Sequence, residues 1–372
     1  MAYRLDSEQS MLQDAARSFF EKEVSGDLIR ELENSETGFD RGLWDKMADL
    51  GWMGLTISEA YDGFEAGFMY LAVVLEELGR SGLASPFFHT VALGGELIKV
   101  LGSDEQKANF LPRVASGEMI VSAAYAGADE PRSAADLPVT ASSDGDGFLL
   151  HGSCLMVPFA QVADTIICAA QSGDQQACLF LLDPDTPGLT IKALKTTAQD
   201  RQCELEFDAV RLENDNLLGK EGQSWPVLQQ LLLQAAVAKC AEMVGGAGRA
   251  MEMTVDYSKE RVQFGRPIGA FQAVQHHCAN MLTYLDSSAL LTRHTCKKVS
   301  AGTVSTADMA KCKAWVSDAS RKLLLLAHQV YAGMGFMQET DLQIYFRRTK
   351  AAEQIFGNSS FHRETVAREI GL

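Results

Sequence analysis

The sequence lacks the patterns by which several classes of protein are recognised. Its eight cysteines include no C-x-x-C pair, so neither a zinc site nor a disulfide framework is indicated. It contains no G-x-G-x-x-G fingerprint and no P-loop, so a nucleotide would have to be held by other means. No apolar run reaches the roughly 18–20 residues that span a bilayer. The N-terminus also lacks the basic and then apolar segments of a secretory signal, so a cytoplasmic protein is expected.

Positive charge is also scarce. The 372 residues include 33 Lys and Arg against 49 Asp and Glu, which gives a net charge of −16. Nucleic acids and anionic membranes are bound by basic surfaces, so neither partner is expected. An anionic small ligand is still compatible with this charge, because a few arginines and a helix N-terminus can bind a phosphate on an acidic protein.

Local patterns predict helices in the first third of the chain. Asp6 with Gln9, and Ser103 with Gln106, each form a capping box, the pairing that opens a helix. From about residue 121, short apolar segments are separated by Gly, Asp, Pro and Ser, which is typical of a small antiparallel barrel or sandwich.

A helical period returns near residue 225 and lasts to the end of the chain. It predicts long helices at residues 226–259, 269–300, 306–335 and 340–368. The predicted fold class is therefore mainly α with a small β-domain. The predicted domains are an N-terminal helical domain, a central β-domain and a C-terminal helical bundle, at residues 1–120, 121–224 and 225–372.

Three motifs resemble those of the acyl-CoA dehydrogenases. Residues 261–268 (RVQFGRPI) and 271–272 (FQ) are similar to the family's RxxFGxxI…FQ signature. Residues 329–336 (QVYAGMGF) resemble its QxxGGxGF turn, and residues 210–222 resemble the segment that leaves its β-domain. The three occur in the family's order, so the resemblance extends over nearly the whole chain.

The resemblance implies a fold and a cofactor. The fold would have an N-terminal helical domain, a central β-barrel and a C-terminal four-helix bundle, and the cofactor would be an FAD shared across a subunit interface. A guanidinium suits the FAD pyrophosphate, and glycines let the backbone approach a dinucleotide closely. The residues implied to bind the cofactor are Arg261, Phe264, Gln272, Gln329, Gly333, Gly335, Asp129, Met156 and Pro158.

The central segment departs from the family pattern. Residues 128–136 (ADEPRSAAD) resemble the TEP…GSD stretch, with Asp129 in place of Thr. Residues 155–160 occupy the place of the W-I-T-N segment, which packs on the flavin, but Met156 and Pro158 stand there instead. Proline has neither an N–H nor a hydroxyl, so the usual contacts to the flavin would be lost or replaced.

The catalytic carboxylate of the family is also missing. The family removes the α-proton of an acyl-CoA with a Glu, while hydride leaves Cβ for the flavin. The two positions that carry this Glu are occupied here by Phe356 and Ala235. His89 is a candidate replacement base, because His titrates near neutral pH. Glu353 is close in sequence but is expected to point past the flavin. No metal is expected.

Two further segments resemble a subclass. Residues 242–247 (EMVGGA) and 357–363 (GNSSFHR) are similar to acyl-CoA dehydrogenases of bacterial steroid side-chain degradation, in which two unlike subunits often form a heterotetramer and one lacks the Glu. The resemblance implies an FAD-dependent acyl-CoA dehydrogenase subunit without its own catalytic Glu. It would work as a homo- or heterotetramer on an acyl-CoA substrate, with a Glu-bearing paralogous subunit as partner and an electron-transfer flavoprotein as acceptor.

Two alternatives remain open from the sequence. One is a non-catalytic structural subunit of a heteromeric dehydrogenase. The other is a flavoenzyme with different chemistry on the same scaffold, because function belongs to the site and not to the fold.

Overall fold

The computed structural model describes residues 4–173 and 176–372. The chain forms two compact units. The first comprises Met1–Ile29, Phe68–Leu83 and Leu233–Leu372, and the second comprises Arg30–Gly67 and Ala84–Leu232. The three predicted domains are a division by sequence pattern and stay a prediction.

Helices dominate the structure, as expected for the fold class. Their bounds are α1 (Ser7–Glu23), α2 (Gly26–Asn34), α3 (Arg41–Asp49), α4 (Phe68–Ser81), α5 (Phe87–His89), α6 (Gly95–Leu101), α7 (Asp104–Ala115), α8 (Trp225–Glu260), α9 (Gln272–Ser300), α10 (Thr306–Tyr331), α11 (Leu342–Gln354) and α12 (Ser359–Glu369). None of the helices in the described ranges is long and apolar enough to span a membrane.

Both predicted capping boxes are confirmed. The Asp6 carboxylate accepts a hydrogen bond from the Gln9 N–H at 2.8 Å, and the Gln9 side chain accepts one from the Asp6 N–H at 3.3 Å. Ser103 and Gln106 pair in the same way at the start of α7, at 3.1 and 3.0 Å. These bonds satisfy backbone donors that have no partner within the helix, which fixes where α1 and α7 begin.

The second unit contains the sheet. Its strands are β1 (Val121–Ala124), β2 (Val139–Asp144), β3 (Gly147–Pro158), β4 (Thr165–Gln171), β5 (Ala177–Leu182), β6 (Leu189–Leu194), β7 (Gln202–Glu213) and β8 (Leu217–Leu218). They lie in the order β6-β7-β3-β2-β4-β5-β8, with β1 beside β4.

Most neighbouring strands are antiparallel, as predicted, but two pairs are not. The pairs β1–β4 and β2–β4 are parallel, while the other pairs are antiparallel. Parallel neighbours need a long connection, and the β2–β3 hairpin lies within the connection from β1 to β4.

In the first unit, α4 and α8 approach each other at two glycines. A Cβ atom on Gly245 would lie 1.7 Å from the carbonyl oxygen of Glu76, and one on Gly79 would lie 1.9 Å from the carbonyl oxygen of Glu242. The backbones are therefore in direct contact, and only glycine fits at either position.

Two of the four long helices predicted near the C-terminus differ from the structure. The helix predicted at residues 306–335 ends at Tyr331, and a 3₁₀ turn follows. The helix predicted at 340–368 is divided into α11 and α12. The break lies at Phe356 and Gly357, whose φ angles are +60° and +89°. Two consecutive left-handed residues cannot continue an α-helix.

Candidate functional site

Position 356, where the family motif predicts a Glu, lies in the turn between α11 and α12. Phe356 is only 3% exposed. Its carbonyl oxygen accepts a hydrogen bond from the Nε2 atom of His362 at 2.8 Å. Asn358 caps α12 by accepting a hydrogen bond from the Phe361 N–H at 3.0 Å. The turn is thus well held, but a phenyl ring occupies the position, and it cannot accept a proton.

The arginine-containing motif forms a hairpin after α8. Its strands are β9 (Val262–Gln263) and β10 (Arg266–Pro267), joined by Phe264 and Gly265 with φ angles of +52° and +78°. Two positive φ angles are typical of the tight turns that join antiparallel strands.

The hairpin presents its side chains to solvent. Phe264 is 93% exposed, and Gln272, at the start of α9, is also exposed. Among the described residues, Arg261 is exposed and has no carboxylate within ion-pair distance. A surface salt bridge therefore does not account for Arg261, and its guanidinium can meet an anionic ligand. Arg266 lies over the ring of Phe271, 4.3 Å from its centroid.

The glycine-containing motif follows α10. Gln329 is exposed in the last turn of the helix, and Gly333 is also exposed. A Cβ atom on Gly333 would meet nothing within 4 Å, whereas one on Gly335 would lie 3.1 Å from the Tyr331 side chain. The backbone at Gly333 is thus open to a ligand, and Gly335 is closely packed inside the turn.

A stacked pair of tyrosines joins these two motifs. The rings of Tyr257 and Tyr331 lie 4.2 Å apart and nearly parallel. The Tyr257 carbonyl accepts a hydrogen bond from the Arg261 N–H, and the Tyr331 hydroxyl donates to the Met253 carbonyl at 3.0 Å. The structure therefore places the bases of the hairpin and of the turn together. The sequence motifs did not identify either tyrosine as the connection.

Ala332 has an unusual backbone in this turn. Its φ and ψ angles are +52° and −135°, a region that is easily reached only by glycine. The family motif has Gly at this place, so the sequence already contained a sign of strain here.

The predicted flavin-contacting residues of the second unit lie on β3 and in the loop after β1. Met156 lies in a bulge of β3 with φ +56° and is 53% exposed. The Pro158 carbonyl accepts a hydrogen bond from the Ser122 hydroxyl at 2.6 Å, and Pro158 pairs with Gln202 of β7. Asp129 is exposed. Met156 can make apolar contacts there, but Pro158 has no donor to offer a flavin.

Residues 222–371 match the acyl-CoA dehydrogenase C-terminal domain, and residues 6–118 match the acyl-CoA dehydrogenase N-terminal domain. The cyclohex-1-ene-1-carbonyl-CoA dehydrogenase of Geobacter metallireducens is 31% identical, over 98% of each chain. The chain belongs to the acyl-CoA dehydrogenase family. Its members are oxidoreductases that act on acyl-CoA thioesters with FAD.

Solved structures agree with this assignment. The chain is 26% identical to one from the ChsE4–ChsE5 complex of Mycobacterium tuberculosis, with a TM-score of 0.91 over 100% of this chain and 99% of that one. It is 29% identical to one from the Tcur3481–Tcur3483 steroid acyl-CoA dehydrogenase, with a TM-score of 0.88 over 98% and 97%.

The residues of this acyl-CoA dehydrogenase that resemble FAD ligands fit the cofactor on the first unit. The Arg261 guanidinium, the open backbone at Gly333 and the exposed Phe264 ring offer charge, close approach and a stacking surface. They belong to two segments that the tyrosine stack holds together.

In the described parts of the chain, the two positions predicted to carry the Glu, and the nearby Glu353, offer no unpaired carboxylate. Ala235 is completely buried in α8. The Glu353 carboxylate contacts the Nζ atom of Lys350 at 2.8 Å and the Nε atom of Arg321 at 3.5 Å, so two cations engage it. His89 is buried in the second unit, with its ring 5.1 Å from that of Phe88. A role for His89 as base stays a prediction.

His328 supports the glycine-containing turn from inside the protein. Its ring packs 5.2 Å from Phe336 and 4.7 Å from Phe346, and its Nδ1 atom lies 3.0 Å from the Leu324 carbonyl oxygen. Burial lowers the pKa of His328, while the backbone carbonyls of Leu324 and Gly335 raise it in part. The folded state therefore favours the neutral imidazole over the protonated form.

We expect this histidine to make stability depend on pH. The unfolded chain binds a proton at His328 near pH 6.5, whereas the folded chain binds it only at lower pH. The contribution of His328 to the free energy of unfolding is therefore complete above pH 6.5, and it decreases as the pH falls through and below that value. In urea unfolding between pH 7.5 and 5, the free energy of unfolding should decrease more steeply for the wild type than for His328→Gln. Equal slopes in the two proteins would contradict the role of His328.

Proposed function

We propose that this chain is the subunit of a heteromeric FAD-dependent acyl-CoA dehydrogenase that does not supply the catalytic Glu. The observation that carries the proposal is the turn at Phe356, where the backbone is tightly held but the side chain is a phenyl ring. A base for α-proton removal must lie within hydrogen-bond reach of that proton. Neither Phe356 nor Ala235 can act as one, so a Glu-bearing paralogous subunit provides the carboxylate.

Exposed apolar side chains support an assembly with a second chain. Phe264 of the hairpin and Met334, Phe336 and Met337 of the turn are all exposed in the first unit. Apolar groups gathered on a surface mark sites that bind a ligand or another protein. Two similar chains come from proteins named as pairs, the ChsE4–ChsE5 complex and the Tcur3481–Tcur3483 enzyme.

The roles of this chain in such an enzyme follow from its side chains. Bound FAD would supply the hydride acceptor, and an electron-transfer flavoprotein would be the electron acceptor. Arg261 binds the cofactor's pyrophosphate, and the backbone at Gly333 allows close approach. Gln272, exposed at the start of α9, and Gln329, exposed in the last turn of α10, offer amide hydrogen bonds to the cofactor. The partner's carboxylate removes the α-proton of the acyl-CoA.

Visible absorbance spectra test the proposal. The chain is purified alone and after co-expression with a Glu-bearing paralogue, and each sample is then mixed with linear and cyclic acyl-CoAs. We expect the chain alone to be colourless, and the complex to be yellow and bleached by one of the thioesters. A chain that binds FAD alone and is bleached without a partner would overturn the proposal, and His89→Ala would then test the remaining base.

Loss of the Arg261 guanidinium should weaken flavin binding in the complex. A hydrogen bond to a charged group contributes about 1.5–3 kcal/mol, so Arg261→Ala should raise the dissociation constant for FAD roughly ten- to hundredfold. Lys259→Ala is the matched control, because Lys259 is exposed two residues earlier and pairs with Asp256 at 3.1 Å. Flavin fluorescence titration measures both. Equal affinities would show that Arg261 does not contact the cofactor.

Pro158 favours a second candidate function, that of a non-catalytic structural subunit. With no donor at this position, the family's contact to the flavin from β3 is lost. If the chain contributes no contact to a working flavin site, the complex carrying Arg261→Ala would keep its full flavin content and its full rate of acyl-CoA oxidation. Under the first proposal, both quantities fall.

A further inference from the structure

Lys313 of α10 is a completely buried lysine. Its Nζ atom lies 2.8 Å from the carbonyl oxygen of Ala352, 3.1 Å from that of Glu353 and 3.2 Å from that of Gly357. It also lies 3.3 Å from the Ser317 hydroxyl. Burying an ammonium group costs several kcal/mol unless hydrogen bonds compensate for it, so a single lysine surrounded by carbonyl groups calls for a specific role.

The carbonyls that meet Lys313 lie on both sides of Phe356. Ala352 and Glu353 belong to the last turn of α11, where carbonyl groups have no partner within the helix and carry the negative end of its dipole. Gly357 follows Phe356 directly. The ammonium group therefore holds the end of α11 and the residue after Phe356 at a single point.

The turn needs such a support because its backbone is strained. Phe356 has a φ angle of +60°, and a residue other than glycine pays about 1–2 kcal/mol for the left-handed conformation. Strain of this kind persists only where the surrounding structure holds it in place. His362 holds the Phe356 carbonyl itself, and Lys313 holds the carbonyls before and after it.

We propose that Lys313 is a positioning residue for position 356. Its ammonium group fixes the 356 turn, defined as residues 355–358, so that one backbone geometry and one side-chain direction are kept. The catalytic meaning of this role rests on the proposed function, since that function identifies position 356 as the place of the missing base. The contacts between Lys313 and the turn do not depend on whether the chain takes part in catalysis.

Hydrogen exchange of the full-length chain tests the role. Lys313→Met keeps the length and the apolar stem but removes every donor. Lys311→Met is the matched control, because Lys311 is exposed on the same helix. We expect the amides of the 356 turn to exchange at least tenfold faster in Lys313→Met, with α9 unchanged. Lys311→Met should match the wild type in both segments.

A spectroscopic readout separates positioning from general stabilisation. With a single 4-fluorophenylalanine at position 356, the wild type should give one sharp fluorine resonance. Lys313→Met should shift or split it, because the ring is no longer held in one direction. Unchanged exchange and an unchanged resonance would overturn the proposal. So would equal acceleration of exchange in α9, which would make Lys313 a general stabiliser.

Lys313→Gln keeps the proposal testable if the methionine variant does not fold. Its amide retains donors, so we expect a folded chain in which only the 356 turn exchanges faster, by less than in Lys313→Met. A glutamine variant that is also unfolded would count against a local role. If the proposed function is wrong, the chain will bind FAD and oxidise an acyl-CoA without a partner. That result would not change these exchange rates.

Discussion

Gly245→Ala should leave little or no folded protein. The added methyl group would lie 1.7 Å from the Glu76 carbonyl oxygen and 2.9 Å from the Arg80 backbone nitrogen. Both are backbone atoms of α4, so no side chain can rotate away, and α4 and α8 would have to separate. Overpacking usually costs 1–3 kcal/mol. A clash between two helix backbones is more severe, so we expect the free energy of unfolding to fall by about 4 kcal/mol or more.

Gly248→Ala provides the matched control in the same helix. Its methyl group would meet only the Leu285 side chain, at 3.9 Å, which is ordinary contact. Alanine is favoured over glycine inside a helix by roughly 0.5–1 kcal/mol, so this variant should be as stable as the wild type or more so. Soluble yield and urea unfolding measure both proteins. A Gly245→Ala protein with wild-type stability would show that α4 and α8 do not meet there.

Ala332→Gly should stabilise the chain by about 1–3 kcal/mol, the strain of one residue held in a disfavoured backbone region. Ala332 caps the C-terminal end of α10, where its N–H donates to the His328 carbonyl, and its φ and ψ of +52° and −135° suit glycine. The methyl group is on an exposed residue, so little packing is lost when it is removed.

Urea unfolding of Ala332→Gly should be compared with that of Ala279→Gly. Ala279 is exposed within α9, where glycine should cost up to about 1 kcal/mol. The two substitutions are chemically identical, so opposite shifts would isolate the backbone conformation as the cause. A destabilised Ala332→Gly protein would mean that the residue is not strained in solution.

Elements fixed by neighbouring residues could be predicted from the sequence. The capping boxes at Asp6 and Ser103 each need only the residue three positions later, and both were placed correctly. The break at Phe356 could not be predicted, because one of the groups that hold it, Lys313, lies 44 residues before Gly357 in the chain. Helical periodicity continues through the break and gives no sign of it.

The candidate site was predictable to a similar extent. The two motifs that contain Arg261 and Gly333 were visible as strings of residue types. Their connection was not, since Tyr257 and Tyr331 lie in different helices and neither stands out by spacing. Ala332 could have been noticed, because it replaces a glycine of the motif. Its backbone angles, however, are visible only in the structure.

The first unit is assembled from three separated stretches of chain, and this sets an order of events during synthesis. The stretches that contain α1 and α4 leave the ribosome well before Leu233–Leu372, which completes their unit. At about 5–20 residues per second, residues 84–232 take roughly 7–30 s to be made. During that time the buried faces of α1 and α4 have no final partners, while the second unit can already form. A messenger RNA cut short before residue 233 would thus yield one finished unit and two helices, α1 and α4, without the residues that complete their unit.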